Sequence, residues 1–392
     1  MGPESNNIPV LPPAKSAGVC QHITSLPGSR GIGTIADNAC SFIDSLMAAG
    51  ISVWQFLPTG PTAYGDSPYQ PLSVYAGNEL LIGIEPLLRL GLLSDTEASI
   101  LAELPGTHVA YESLIPKKWA LLSTAAERFP VTATGGLNTA YEEFLHRHEE
   151  DWLQDYALFR VLKTMHGERS WPEWSTEFKH RESAALRHVA EQEHAAIEQI
   201  KIIQFLYHRQ WSKLRAYAAE KRISLFADMP IYIALDSADA WAHPEILQMD
   251  RNGIPGHVAG VPPDYFSEDG QLWGNPLYDW DFHAADGFRW WINRLRHATA
   301  LADLVRIDHF RGFESYWAVP FGSETAKKGQ WKSGPGDALF DAISDSLGRL
   351  PVVAENLGII TKKVEALRKR HGLPGMNVLQ LELGNSKFVL DD

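Results

Sequence analysis

The sequence predicts an α/β fold, a (β/α)8 TIM-type barrel with helical insertion subdomains, and two observations favour it. Short apolar runs that end in polar or acidic residues alternate with stretches of helical periodicity, as in βα units on a parallel sheet. Polar residues follow several of these runs, at the carboxyl edge where barrels carry their functional side chains. A doubly wound sheet is the alternative, but no Gly-x-Gly-x-x-Gly follows the first run.

Six apolar runs are the candidate strands, namely Gly18–His22, Val53–Leu57, Leu225–Met229, Leu304–Asp308, Val352–Glu355 and Asn377–Leu381. An eight-stranded barrel needs two more, and this chain stops at Asp392. We therefore expect a barrel truncated at its carboxyl end, with about six of its eight strands present, and an unclosed barrel leaves unpaired sheet edges.

The domain organisation follows from the spacing of these runs. Residues 1–16 are predicted to be an amino-terminal arm, and residues 17–392 a single catalytic barrel. Residues 59–224 separate the second and third strands and are far too many for an ordinary βα loop. Aromatic and aliphatic side chains recur there at helical spacing, which predicts helical insertion subdomains packed on the barrel. Residues 241–280 are rich in turn signals and predict a lid-like loop region over the strand ends.

Composition excludes several classes of partner and cofactor. The net charge is −13 and no long basic stripe occurs, which argues against a nucleic acid or an anionic membrane as partner. No apolar run reaches the roughly 18 residues that span a membrane. The cysteines, Cys20 and Cys40, lie in or beside apolar segments and predict reduced thiols in a cytoplasmic protein. No metal-ligand spacing or cofactor motif is present, so we expect neither a metal nor an organic cofactor.

Two acidic residues at strand ends are the candidate catalytic groups. Arg306 and Asp308 alternate on one strand and so point the same way, and a guanidinium beside a carboxylate favours its charged form. Glu355 ends an apolar run with no neighbouring base, a setting that raises a carboxyl pKa and suits a general acid. The pair resembles the two carboxyls of glycoside chemistry. The alternatives are a structural ion pair for Arg306 and Asp308, and a solvated strand terminus for Glu355.

Taken in order, the motifs of the chain resemble those of the 4-alpha-glucanotransferase family, also called amylomaltase. The resemblance extends from about residue 17 over essentially the whole chain. It rests on Thr24–Gly28, Trp54–Pro58, Tyr64–Gln70, Asp228–Ile231, Val261–Phe266, Gln271–Pro276, Arg306–Phe313 and Ala354–Gly358.

The resemblance implies roles for individual residues. Asp308 would be the nucleophile that forms a covalent glucosyl-enzyme, and Glu355 the acid/base. Arg306 would orient Asp308, and Asp228 would hold sugar hydroxyls. The other substrate-binding positions implied are Tyr64, Asp66, Ser67, Tyr69, Trp273, His309 and Asn356.

Three of these positions carry a reservation. Asp66 and Ser67 could instead cap a turn, because Asp-Ser-Pro is typical of turns. Asn356 stands where the family often carries an aspartate. The family also has a third carboxylate, in a later His-Asp pair, that has no counterpart in the printed sequence.

The predicted reaction moves α-1,4-glucan segments between maltooligosaccharides with retention of configuration, through a covalent intermediate. A hydrolase of the same class is one alternative, and a non-catalytic glucan-binding remnant is another.

Overall fold

The computed structural model describes residues 11–12, 15–28, 30–264 and 267–378, which contain a parallel and an antiparallel sheet. Their strands are β1 Gly18–Cys20, β2 Val53–Gln55, β3 Ser224–Pro230, β4 His257–Val261, β5 Gln271–Pro276, β6 Leu304–Asp308, β7 Ser315–Pro320, β8 Gln330–Ser333 and β9 Val352–Ala354.

The parallel sheet has the order β1-β2-β3-β6-β9, and all four pairings are parallel. The α/β class is thereby confirmed, as are the first five predicted strands, although four of them differ by one or two residues at an end. These strands follow one another in chain order, without the reversal of a doubly wound sheet. For the sixth predicted strand, Asn377–Leu381, residues 377–378 are not in a strand and the rest lies outside the described residues.

Helices surround this sheet, and α2 to α9 fall within the predicted insertion. The bounds are α1 Asp37–Ala48, α2 Ile84–Arg89, α3 Asp95–Ala98, α4 Tyr111–Thr132, α5 Gly136–His148, α6 Gln154–Met165, α7 Thr176–Lys179, α8 Ser183–Gln192, α9 His194–Glu220, α10 Ala238–Ala242, α11 Trp280–Ala285, α12 Arg289–Leu301, α13 Asp337–Leu347 and α14 Lys362–Arg370. Within the described part of the chain, no helix has the length and apolar character needed to cross a membrane.

The long helix α9 fixes the loop that follows β2. The buried amide of Gln204 accepts a hydrogen bond from Gly77 N (2.9 Å) and donates one to Gly77 O (3.0 Å). Gln210 brackets Gly83 in the same way, at 2.7 and 3.0 Å. Two side-chain amides thus satisfy buried backbone groups that would otherwise lack partners. The segment between β2 and α2, which carries Tyr69, is therefore held against the helical insertion.

The antiparallel sheet has the order β5-β4-β7-β8 and is built from two separate stretches of chain. Its first two strands lie in residues 241–280, so the predicted loop region contains a hairpin. Gly270, at φ +69°, forms the turn between these strands, a conformation that favours glycine. The strands β7 and β8 were not predicted, because their partners are distant in sequence and their runs are short. Tyr316 and Ala318 of β7 pack into the core cluster beside the parallel sheet.

Candidate active site

The register of three neighbouring parallel strands brings the predicted acidic residues to one edge of the sheet. Asp228 of β3 lies opposite Arg306 of β6, and Pro230 lies opposite Asp308. Ala354, the last residue of β9, follows the same edge, so that Glu355 comes directly after it. The carboxyl ends of parallel strands meet at a common edge, and these three carboxyl groups are collected there.

Arg306 joins two of the three carboxyl groups. Its Nη1 lies 2.6 Å from Asp228 Oδ1, and its Nη2 lies 2.6 Å from Asp308 Oδ1. Burial alone would lower the pKa of Arg306, but the two carboxylates raise it above its usual value. The predicted contact between Arg306 and Asp308 is therefore confirmed, and Asp308 keeps 29% of its side chain exposed, whereas Asp228 keeps 2%.

Asp228 is the most buried member of the group. Tyr69 Oη donates a hydrogen bond of 2.8 Å to Asp228 Oδ2. Burial raises the pKa of Asp228, while the charge of Arg306 opposes that rise. Because Arg306 and Tyr69 occupy one oxygen each, the Asp228 carboxylate is fixed in orientation at the floor of the site.

Glu355 is held by neutral donors instead of a cation. His309 N donates to Glu355 Oε2 (2.9 Å) and Leu357 N donates to Glu355 Oε1 (2.5 Å). Burial raises the pKa of Glu355 and the charge of Asp308 adds to the rise, while the backbone donors and Arg306 oppose it. The direction predicted from the apolar run is confirmed. A carboxyl group that keeps its proton at higher pH can act as a general acid.

Aromatic side chains border the carboxyl groups. The ring of Trp273, on β5, meets that of His309 edge-on, with centroids 4.8 Å apart. Tyr232 lies 6.2 Å from Trp273 and 6.5 Å from His309. Burial lowers the pKa of His309 to about 3, so its imidazole is neutral at physiological pH. His309 also has a left-handed backbone (φ 53°), which turns its N–H toward Glu355.

The structure gives several predicted binding residues other partners. Ser67 Oγ accepts a hydrogen bond from Tyr69 N (3.3 Å), as the turn interpretation expects. Asp66, with φ 53°, borders a separate groove beside α6 and α9. Asn356 donates to Glu365 Oε1 (2.9 Å) and accepts from Met376 N (2.7 Å), so its side chain ties α14 to the loop after β9. The side chain of Tyr64 lies outside the described residues.

Three contributors were missed by sequence reasoning. Gln70 Nε2 donates to Trp273 O (3.3 Å) and to Asn275 Oδ1 (3.0 Å), which joins the β2 loop to β5. Tyr232 lies beside the Trp273 ring. Gln70 and Asn275 stand inside the motifs quoted above, which was the available signal. Tyr232 lies one residue beyond such a motif, and only the fold reveals its contact.

The site offers no evident metal ligands. Among the residues that the structure describes, no set of three or more His, Cys, Asp or Glu side chains is arranged to hold a metal ion. The three carboxyl groups around Arg306 are engaged with a guanidinium and with backbone or phenolic donors.

Comparison with known proteins identifies relatives over almost the whole chain. A family model described as 4-alpha-glucanotransferase matches residues 21–391. The 4-alpha-glucanotransferase of Thermus thermophilus is 47% identical over 381 residues, which cover 96% of this chain and 73% of the relative. That of Synechocystis is 43% identical and covers 95% and 74%. The solved amylomaltase of Streptococcus agalactiae in complex with acarbose superposes with a TM-score of 0.90 at 38% identity, over 95% of this chain and 75% of that one. The chain therefore belongs to the 4-alpha-glucanotransferase family.

Proposed function

We propose that this protein moves α-1,4-glucan segments between maltooligosaccharides by a retaining double displacement, with Asp308 as nucleophile and Glu355 as acid/base. Family membership makes the chain an enzyme of the hexosyltransferase class. The observation that carries the mechanism is the contrast between the two carboxyl groups, of which one is paired with a guanidinium and the other receives only neutral donors. Retaining glycoside chemistry needs one carboxylate and one protonated acid.

In the first step, the Asp308 carboxylate attacks the anomeric carbon of the donor glucan. The bond from this carbon to the glycosidic oxygen breaks as Glu355 delivers its proton to that oxygen. The leaving part of the chain departs with a free 4-hydroxyl, and the donor segment remains as an ester on Asp308. Arg306 positions the nucleophile through its contact with Asp308.

In the second step, Glu355, now a carboxylate, takes the proton of an incoming 4-hydroxyl. The acceptor oxygen attacks the anomeric carbon and the ester bond to Asp308 breaks, so two inversions give net retention. Transfer exceeds hydrolysis only if water is kept from the ester. The region 241–280, with its β4–β5 hairpin beside the site, is proposed as the lid that excludes water.

Substrate contacts are proposed for the residues around the two carboxyls. Asp228, fixed by Arg306 and Tyr69, would accept hydrogen bonds from sugar hydroxyls. Trp273 offers an aromatic ring that can stack on the apolar face of a glucose unit. The related amylomaltase of Streptococcus agalactiae was solved in complex with acarbose, which supports a carbohydrate ligand for this chain.

We also propose the complete barrel, the substrates and the cellular location. The chain-ordered parallel strands support a (β/α)8 barrel in which further strands close the sheet beyond β1 and β9. The proposed substrates are uncharged α-1,4-glucans, which suit a chain of net charge −13, and the proposed location is the cytoplasm.

The function can be tested by incubating the protein with maltotriose. Transfer gives glucose together with maltopentaose and longer chains, whereas a hydrolase gives only shorter products. Mass spectrometry of protein quenched during turnover should find a maltosyl ester on the peptide that carries Asp308, because release of glucose from maltotriose leaves the maltosyl part on the enzyme. Longer products without any ester on that peptide would reject the double displacement through Asp308.

A further inference from the structure

Trp331 is a solvent-exposed tryptophan that does not belong to the candidate active site but lies near it. It lies on the edge strand β8, and 42% of its surface is exposed. Trp317 of β7 pairs with it directly, and the two rings meet at 62° with centroids 5.2 Å apart. Trp317 donates its indole N–H to Ala326 O (2.8 Å) and is partly buried, so it supports the exposed ring from one edge.

Arg311 covers one face of Trp331. The guanidinium carbon lies 3.9 Å from the centre of the indole ring, within the distance of a cation–π contact. Arg311 itself is only 4% exposed and donates a hydrogen bond of 3.2 Å from Nη2 to Ser315 Oγ. With one face stacked on a buried cation and one edge on Trp317, the exposed ring is held in a fixed orientation and presents its opposite face to solvent.

Arg311 also links this ring to the acid/base. It belongs to the helical turn Phe310–Phe313 that follows Asp308 by two residues. Its Nη1 donates to the backbone oxygen of Ile359, in the loop that begins at Glu355. Ile359 is 43% exposed. The aromatic ring on β8 and the loop that carries Glu355 therefore border each other on the surface, with Arg311 between them.

The position of Glu355 defines which part of a bound glucan, before or after the cleaved bond, would lie near Trp331. A general acid protonates the oxygen of the leaving group, so the leaving chain, and later the acceptor, lies on the acid's side of the cleavage point. Pyranose rings stack on indole faces through their C–H groups and keep their hydroxyls for polar neighbours. Ser315 and Ser333 are paired two residues further along β7 and β8, on the same face of the sheet as Trp331.

We propose that Trp331 binds the acceptor glucan beyond the sugar that reacts, as a stacking platform held in place by Arg311. This inference rests on the proposed transferase function and deepens it, because it names a residue that selects long acceptors over short ones. A protein partner is less consistent with this surface, because a single ring on a four-residue edge strand is far smaller than the roughly 800 Å² per side of a stable interface.

The test varies the acceptor while the donor is held constant. Transfer from maltotriose is measured to glucose and to maltohexaose, each labelled at its reducing end, for the wild type, Trp331→Ala and Trp331→Phe. We expect Trp331→Ala to raise KM for labelled maltohexaose by about threefold to tenfold. The kcat and the KM for labelled glucose should stay within about twofold of the wild type, and Trp331→Phe should restore most of the lost affinity.

A matched control is Phe321→Ala, which removes another exposed ring, at the residue that directly follows β7. It should leave both acceptors unaffected. An unchanged KM for maltohexaose in Trp331→Ala, or an equal rise for both acceptors, would overturn the inference, the second result indicating a structural role.

If the wild type extends neither acceptor, the transferase proposal is the one that fails. Calorimetric titration of Asp308→Asn with maltohexaose then tests separately whether Trp331 binds glucan, since binding needs no turnover. Weaker binding when Trp331→Ala is added to that background would support the platform, and equal binding would reject it.

Discussion

Two clusters of titratable side chains in the described part of the protein differ in whether a counter-charge accompanies them. The carboxyl group cluster (Asp228, Asp308 and Glu355) surrounds the guanidinium of Arg306 at the strand ends. The histidine cluster (His148, His208 and His297) lies between α5, α9 and α12, behind the loop that follows β2.

Among the described residues, the histidine cluster has no acidic partner that favours its protonated form. The rings of His148 and His208 lie 5.5 Å apart, and Trp152 donates its indole N–H to His148 Nδ1 (3.2 Å). Burial lowers the pKa of His148 and of His208 to about 4, and that of His297 to about 3. His208 further lowers the pKa of His148, both of these rings lower that of His297, and Arg147 lowers the pKa of His148 and His208.

The comparison shows that burial alone does not make a reactive site. Burial disfavours the charged form of the side chains in both clusters. Only the carboxyl group cluster includes an opposite charge, the guanidinium of Arg306, and its three carboxyl groups do not contact that charge equally. Arg306 contacts Asp228 and Asp308, whereas Glu355 receives backbone donors only. In the proposed mechanism, this one buried cation distinguishes the nucleophile from the acid, whereas burial without a counter-charge gives the neutral histidine cluster.

The largest expected effect follows from removing the charge of the nucleophile. Asp308→Asn keeps the shape of the side chain but cannot form the ester, so maltotriose disproportionation should fall by more than about 1,000-fold. Circular dichroism and the unfolding temperature should show a folded protein. Retention of more than a few per cent of the activity, once deamidation is excluded by mass spectrometry, would remove Asp308 from its proposed role.

The second prediction separates the acid from the nucleophile. Glu355→Gln should lower transfer from maltotriose by about 100- to 10,000-fold, because no proton reaches the leaving oxygen. Release of fluoride from α-maltosyl fluoride needs no acid, so its initial burst should persist in Glu355→Gln and be absent in Asp308→Asn. Equal loss of the burst in both variants would contradict the division of roles.

A smaller loss is expected when the shared cation is changed but kept. Arg306→Lys retains a positive charge but cannot fork between Asp228 and Asp308, and we expect kcat/KM to fall about 10- to 100-fold. Arg306→Met, which removes the charge, should lose more. If lysine and methionine were equally harmful, the geometry of the fork would matter more than its charge, contrary to our account.

The pH dependence should reveal the raised pKa of Glu355. The acid must be protonated in the first step, so kcat/KM for maltotriose should decline as the pH rises through the pKa of Glu355. Because burial raises that pKa, the decline begins at a higher pH than for an ordinary glutamate. With α-maltosyl fluoride the same decline should disappear. A decline that persists with the fluoride would assign the titration to another group.

The smallest expected effect is on the stability of the protein, and it tests the histidine cluster. Unfolded histidines bind protons near pH 6.5, whereas those of the histidine cluster do so at about 4 or 3. Between these values the unfolded state holds more protons, so stability is full above pH 6.5 and falls as the pH drops toward 4. Urea unfolding at pH 7, 6 and 5 gives the free energy of unfolding as a function of pH. In His208→Gln the slope of this dependence should be smaller, by an amount that corresponds to up to about one proton. An unchanged slope would mean that this histidine does not titrate as its burial predicts.

The sequence could predict those parts of the site that depend on a local pattern. The alternation of Arg306 and Asp308 on one strand is enough to place their side chains together, and an apolar run before Glu355 is enough to predict its raised pKa. The donors to Glu355 could not be predicted, because they depend on the left-handed backbone of His309 and on a register between β6 and β9.

The remaining differences have the same origin. The antiparallel sheet pairs β4 with β7 across α11, α12 and β6, a contact that no periodicity in a short window can reveal. Asn356 lies next to the acid in sequence, yet its side chain bonds to Glu365 and to Met376 N. The family resemblance implied a substrate-binding role for Asn356, which stays a prediction, and the folded loop uses the amide to hold α14.

The two-part origin of the antiparallel sheet has a consequence for how the protein folds. The hairpin β4–β5 joins strands that are close in sequence, whereas β7 pairs with β4 across the intervening strand β6, which belongs to the parallel sheet. Bringing the ends of that long intervening segment together costs chain entropy before strand pairing stabilises the structure. We therefore expect the pairing of β4 with β7 to be one of the slow steps of folding. During synthesis from the amino end, the strand that carries Asp308 is made before the antiparallel sheet beside it can be complete. Enzymatic competence should therefore appear late in refolding, after most of the helical signal has returned.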